Sequence, residues 1–72
     1  MPLNDLDTRL LAAHAANDKP TLALLYGEAA DVANDLDGEC FYLTHAYVFA
    51  LDVGMDVAND YYQRLRANGR EE

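Results

Sequence analysis

The densest group of reactive side chains is Asn34-Asp35-Leu36-Asp37-Gly38-Glu39-Cys40, three carboxylates around a glycine followed by the only cysteine. Carboxylates near a glycine could bind calcium. An EF-hand loop needs ligands at set positions, a glycine at the sixth and a bidentate carboxylate at the twelfth. With Gly38 sixth, Ala33 falls first and Thr44 twelfth, and neither can supply what its position needs. The other reading is the start of a helix: Asp37 caps, Gly38 and Glu39 open the first turn, and Cys40 begins the apolar face. A thiol near a helix N-terminus can be activated, but the carboxylates beside Cys40 oppose a nucleophilic thiolate.

Transition-metal ligands are equally scarce. His14, His45 and Cys40 share no helical i, i+3 or i, i+4 spacing, so a zinc site would need separate helices to converge. Asp52, Asp56 and Asp60 recur every fourth residue, but Gly54 interrupts them, and they read as a solvated acidic face. There is no phosphate-binding loop and no nucleotide fingerprint. The expectation is a protein with no catalytic residue, no metal site and no cofactor.

Tyrosine is the more informative residue. Five tyrosines in 72 residues exceed what so small a core encloses, and tyrosine suits interfaces because it joins apolar area to a polar tip. Tyr61 and Tyr62 are adjacent, about 100° apart on a helix, so one should face outward. The expected partner-binding set is Tyr42, His45, Phe49, Asp52, Tyr61 and Tyr62.

Size and charge narrow the partner. The chain allows one domain, and a core this small supplies only about 3–5 kcal/mol without a staple. One cysteine makes no internal disulfide and suits a reducing compartment. Thirteen acids against five bases give a net charge of −8, which disfavours direct nucleic-acid binding and suits basic proteins. Met1-Pro2-Leu3-Asn4-Asp5 has no basic region and no apolar run behind it. The longest apolar stretch, Cys40 to Val53, would span about 21 Å as a helix, short of a bilayer. A soluble cytoplasmic protein is expected, with no membrane partner.

The elements that must position these residues are helical. Leu3, Leu6, Leu10 and Ala13 recur at helical spacing, predicting a helix over 5–16 capped by Asn4 or Asp5. Asn17-Asp18-Lys19 breaks it, and Pro20 opens a second helix reaching Asn34. Gly27, inside that helix, predicts close approach by a neighbour. A third helix runs from Asp37 to Val53. Cys40, Leu43, Tyr47, Ala50 and Leu51 form one face, Tyr42, Ala46, Phe49 and Val53 another, and only a strip with His45 and Asp52 is polar. Such a helix should sit centrally or complete its burial against a partner. Gly54 ends it, and a fourth helix runs from Met55 to Ala67 with Met55, Ala58, Tyr62 and Leu65 in line. Asn68-Gly69 ends the fourth, and residues 69–72 form a frayed tail. The fold class is all-α: four antiparallel helices in one domain, hairpin 1 over about 5–34 and hairpin 2 over about 37–68.

The hairpins start roughly 33 residues apart, a spacing typical of helical repeats. The second carries Leu43-Thr44-x-x-Tyr47 and Ala58-x-x-x-Tyr62. These resemble the Leu-Gly-x-x-Tyr and Ala-x-x-x-Phe signatures of the tetratricopeptide-like (TPR-like) repeat. Leu22-x-x-x-Tyr26-x-x-Ala29 echoes Ala58-x-x-x-Tyr62-x-x-Leu65 in the first hairpin. The chain departs from the pattern at Cys40, where the family has tryptophan, and at Thr44, where it has glycine. The gap from Tyr47 to Ala58 is longer than usual, and no proline follows the fourth helix. The match lies mainly over residues 40–66. A plain four-helix bundle has the same periodicities. The resemblance implies a protein-interaction module with no catalytic residues, helices 1 and 3 lining any peptide groove.

The functional expectation is a small acidic adaptor or regulator, non-enzymatic, binding a protein partner that basic charge would suit. Homodimer formation through the aromatic-rich helices is expected, because helix 3 carries more apolar surface than a small monomer can cover. The alternative is an acidic inhibitor or antitoxin-like protein that masks a basic nucleic-acid-binding surface. A continuous carboxylate stripe would favour that alternative, and scattered acids the adaptor.

Overall fold

The computed structural model of the protein describes residues 5–69, and Leu3, Asn4 and the tail 70–72 lie outside the described residues. Four helices follow in order: α1 (Asp5–Ala15), α2 (Lys19–Asp31), α3 (Leu36–Asp52) and α4 (Val57–Ala67). Each packs on the next, so the array is open and not a ring closed by α1 against α4.

Local chemistry sets the boundaries. Asn17 takes a left-handed conformation (φ 52°), and the Asp18 N–H bonds back to Ala13 O at 2.9 Å. Asparagine tolerates that region better than most residues. Asp18 then caps α2, accepting from the Thr21 N–H and, at 2.7 Å, from the Thr21 hydroxyl, while Pro20 occupies the first turn. Asp35, and not Asp37, caps α3: its backbone is extended (φ −139°), and its Oδ1 accepts from the Gly38 N–H at 3.0 Å. A Cβ at Gly38 would lie 2.6 Å from that oxygen, so the glycine admits the cap. Gly54, at φ 72°, turns the chain out of α3, and Met55 N–H bonds Ala50 O. Helix α4 begins two residues later than the sequence suggests. Asp56 makes no side-chain cap bond, and the first bonds, from Ala58 N–H to Met55 O and Asn59 N–H to Asp56 O, span only three residues.

The two inner helices, α2 and α3, each have neighbours on both sides. Leu22 and Leu25 pack with Ala13 of α1. Ala23 and Ala30 pack with Leu43, Ala46 and Ala50 of α3. Tyr61 of α4 lies across Gly27, where a Cβ would come within 2.8 Å of its ring, and its hydroxyl donates to Ala23 O at 3.0 Å. Small residues on α2 admit α3 and α4 at close range, as Gly27 suggested, and the neighbour at Gly27 is a tyrosine ring.

Ion pairs link the same elements: Arg9 to Glu28, Lys19 to Asp52, and Arg64 to Asp31. Among the described residues, no helix is long and apolar enough to cross a membrane.

Candidate protein-docking face

Helix α3 carries its residues in an unusual order of size. Its buried positions are Cys40, Leu43, Ala46 and Ala50, mostly small. Its outer positions include Phe41, Val48 and Leu51, each more than half exposed. The strip assigned from sequence to His45 and Asp52 as polar also holds Phe41 and Val48. It is the solvent face of the helix.

The two polar side chains in the middle of this face are turned back on the helix. The Thr44 hydroxyl donates to Cys40 O at 2.8 Å. His45 Nδ1 donates to Phe41 O at 2.9 Å, because a carbonyl can only accept. The face can therefore be covered by an apolar surface without stranding the Thr44 hydroxyl or the His45 Nδ1 proton. From Cys40 to Leu51 the sequence holds no Asp, Glu, Lys or Arg. One end is closed by Asp52, held by Lys19, and Asp37 stands at the other.

Aromatic rings border the face toward α1 and α2. Tyr26 is their hub. Its ring stacks on Phe49 (5.8 Å between centroids, 10° between planes) and on Tyr42 (6.2 Å, 28°), and lies 5.2 Å from His45. Its hydroxyl shares a 2.8 Å hydrogen bond with His14 Nε2, and His14 meets Phe49 edge-on. Burial, then the nearby Tyr42, pushes the Tyr26 phenol above the usual tyrosine range. The opposite border is a groove between α3 and α4 of about 410 Å³, lined by Tyr47, Leu51, Met55 and Tyr62. A smaller hollow, lined by Thr44, His45, Val48 and Phe49, lies on the face itself. A third, separate groove lies between α1 and α3, where Leu6, Leu10 and Tyr42 meet Asp35 over the end of α2.

The structure distributes the six expected partner residues unevenly. Tyr42, His45 and Phe49 come together around Tyr26. Asp52 stands at the end of α3, paired with Lys19. Tyr62 lies on the far border, 5.9 Å from the Tyr47 ring. Tyr61 is not available to a partner: it is 6% exposed, and burial pushes its phenol above the usual range. The line along α4 runs through Ala58, Tyr61 and Leu65, so of the two adjacent tyrosines Tyr61 points inward.

Sequence reasoning missed Phe41, Val48 and Leu51 as surface residues, and His14 and Tyr26 as the ring cluster's other half. The spacing Phe41, Thr44, Val48, Leu51 was the available signal, a helical line without charge.

The other reactive groups are held in place. Cys40 is buried in the core of α2, α3 and α4. Among the described residues, no three His, Cys, Asp or Glu side chains come together as a metal site. No protein-family model matches the chain, and no curated protein and no solved structure matches it either.

Proposed function

We propose that the protein is a non-enzymatic protein-interaction module that docks through the outer face of α3. The observation that carries this reading is the inverted size order of α3. Large apolar side chains turned to water contribute little to the monomer core, whereas small ones turned inward let α2 and α4 approach. Exposed apolar area that is contiguous, free of charge and free of unsatisfied donors is what a docking surface requires.

The acidic-mimic reading has weaker support. Every described carboxylate stands either at a helix start or in an ion pair. Asp5, Asp7, Asp18, Asp35, Asp37, Glu39, Asp56 and Asp60 are at helix starts. Glu28, Asp31 and Asp52 are paired with Arg9, Arg64 and Lys19. The acids are thus spread over four helix ends, and helix electrostatics accounts for them without a basic target. An adaptor of the TPR-like kind remains compatible with an open array of consecutive helices, and a cytoplasmic setting with the free thiol.

Substitutions on and off the face test the reading. Phe41→Glu and Val48→Glu should abolish capture of the proteins that the wild-type chain retains. Leu11→Glu and Leu24→Glu, at exposed leucines on α1 and α2, should leave capture intact. Retention unchanged by the α3 substitutions, or lost equally in all four, would overturn the proposal.

A further inference from the structure

The chemistry of the α3 face says which partner it fits. Phe41, Thr44, Val48 and Leu51 lie along it within a twelve-residue segment that has no formal charge, on a chain of net charge −8. A partner chosen for basic charge would find no carboxylate in the middle of this face. A second copy is in the opposite position. Two chains of −8 repel wherever their acids meet, and within a Debye length of about 8 Å at physiological salt that repulsion is felt. The charge-free face is where two copies can approach with least repulsion.

The ends of the helix set the direction. In a parallel pair, Asp37 would meet Asp37 and Asp52 would meet Asp52. In an antiparallel pair, Asp37 of each copy meets the end of α3 where Lys19 holds Asp52. That arrangement brings a cation toward Asp37 and opposes the helix dipoles. An axis passing between Thr44 and Val48 places Thr44 of each copy against Val48 of the other. The same register sets Phe41 of each copy against Leu51 of the other at the two ends of the contact. The Thr44 hydroxyl is already bonded to Cys40 O, so its methyl group faces the partner valine.

We infer that the occupant of this face is a second copy of the chain, joined by antiparallel pairing of α3 about a two-fold axis between Thr44 and Val48. This inference rests on the reading of α3 as a docking face and adds the partner and the geometry. The contact is one helix face and its aromatic borders, at the low end of specific interfaces, below roughly 1,200 Å² in total. The dimer is therefore weak and in exchange with monomer.

Sedimentation velocity from micromolar to millimolar protein, at low and high salt, tests it. The expected result is a weight-average mass that rises with concentration toward that of a dimer. Added salt should strengthen the association, because it screens repulsion between two acidic chains. Val48→Glu should abolish association and Leu24→Glu should leave it unchanged. A monomer at every concentration and salt overturns the inference, as does association that salt weakens or that Val48→Glu leaves intact. The docking reading fails separately, if the α3 substitutions leave capture of every protein the chain retains, a tagged second copy included, unchanged. A strict monomer that still loses capture through Val48→Glu would remove the second copy and keep the docking face.

Discussion

Gly27→Ala separates packing from helix propensity in a single methyl group. In an exposed helix interior, alanine stabilises relative to glycine by about 1 kcal/mol. At Gly27 the added Cβ would fall 2.8 Å from both Cε1 and Cζ of Tyr61, and closer still to the hydroxyl. Carbon atoms prefer about 3.5–4.0 Å, so ring and helix must part by roughly 1 Å. Helix α2 cannot easily yield, because α1 and α3 rest on its other sides. The ring moves instead, and the 3.0 Å bond from Tyr61 to Ala23 O is lost. Overpacking of this kind costs about 1–3 kcal/mol, and a buried hydroxyl left without its acceptor about 1–3 more. After the propensity gain, a net destabilisation of roughly 1–5 kcal/mol is expected, a large share of the stability of so small a domain. Urea unfolding followed by far-ultraviolet circular dichroism reads it directly. Tyr61→Phe removes the atom nearest the new methyl group, so Gly27→Ala should be less harmful in that background. A Gly27→Ala chain stabilised by about 1 kcal/mol, or equally damaged with and without the hydroxyl, would refute the close approach.

Three further outcomes follow from particular contacts. Asp35→Ala removes the α3 cap and should destabilise by about 1 kcal/mol in the same urea assay, whereas Asp37→Ala should have the smaller effect of a first-turn charge. Burial raises the Tyr61 phenol, with nearby Arg64 opposing the shift and Asp31 and Asp60 adding to it. The protonated form is therefore the one the fold favours. Its contribution is complete below the ordinary tyrosine range near 10 and is lost as pH rises through the elevated value. Ultraviolet titration should show Tyr61 ionising late and together with unfolding, and Tyr61→Phe should remove that component. Cys40, 5% exposed, should react with a thiol reagent only as fast as the core opens. Labelling of the folded chain at the rate of a free thiol would contradict its place in the core.

The helices were legible because their ends are written in residues with few alternative uses. Asn17, Asp18 and Pro20 mark one junction, Asp35 and Gly38 the next, Gly54 the third. The α3 cap was assigned two residues late because Asp35 and Asp37 are chemically the same. Only the extended backbone at Asp35 and the space above Gly38 distinguish them. The Tyr61–Tyr62 choice turned on a similar offset, since the start of α4 depends on a short-spanning first turn that composition does not show. The place of α3 was legible only in part. Hydrophobicity shows that α3 could be covered on all sides, but not whether anything covers it. The close packing around α2 came from small residues, Ala23, Gly27 and Ala30, which let α3 and the Tyr61 ring of α4 close in while adding little to a hydropathy profile. The apolar outer face of α3 was obscured by His45 and Asp52, whose polarity suggested a solvated strip. In the structure His45 bonds its own helix and Asp52 is held by Lys19, so neither makes the strip hydrophilic along its length.

The net charge, which first pointed toward a basic partner, has a simpler origin in the fold. Four short helices present four positive N-terminal ends, and a carboxylate at each offsets the dipole and, at Asp18 and Asp35, satisfies backbone N–H groups. The acids beyond those ends, Glu28, Asp31 and Asp52, bind Arg9, Arg64 and Lys19, pinning α1 and α4 to α2 and α2 to α3. A chain that spends its acids at helix starts acquires a large net charge as a by-product, while its helix bodies stay neutral. On α1 and α2 the exposed leucines Leu11 and Leu24 are single residues of a kind common on protein surfaces. On α3 the neutral body carries Phe41, Val48 and Leu51 in one line, and the described residues leave each of them more than half exposed. Helix starts and ion pairs therefore account for the described acids, and neither they nor the monomer core explains that line.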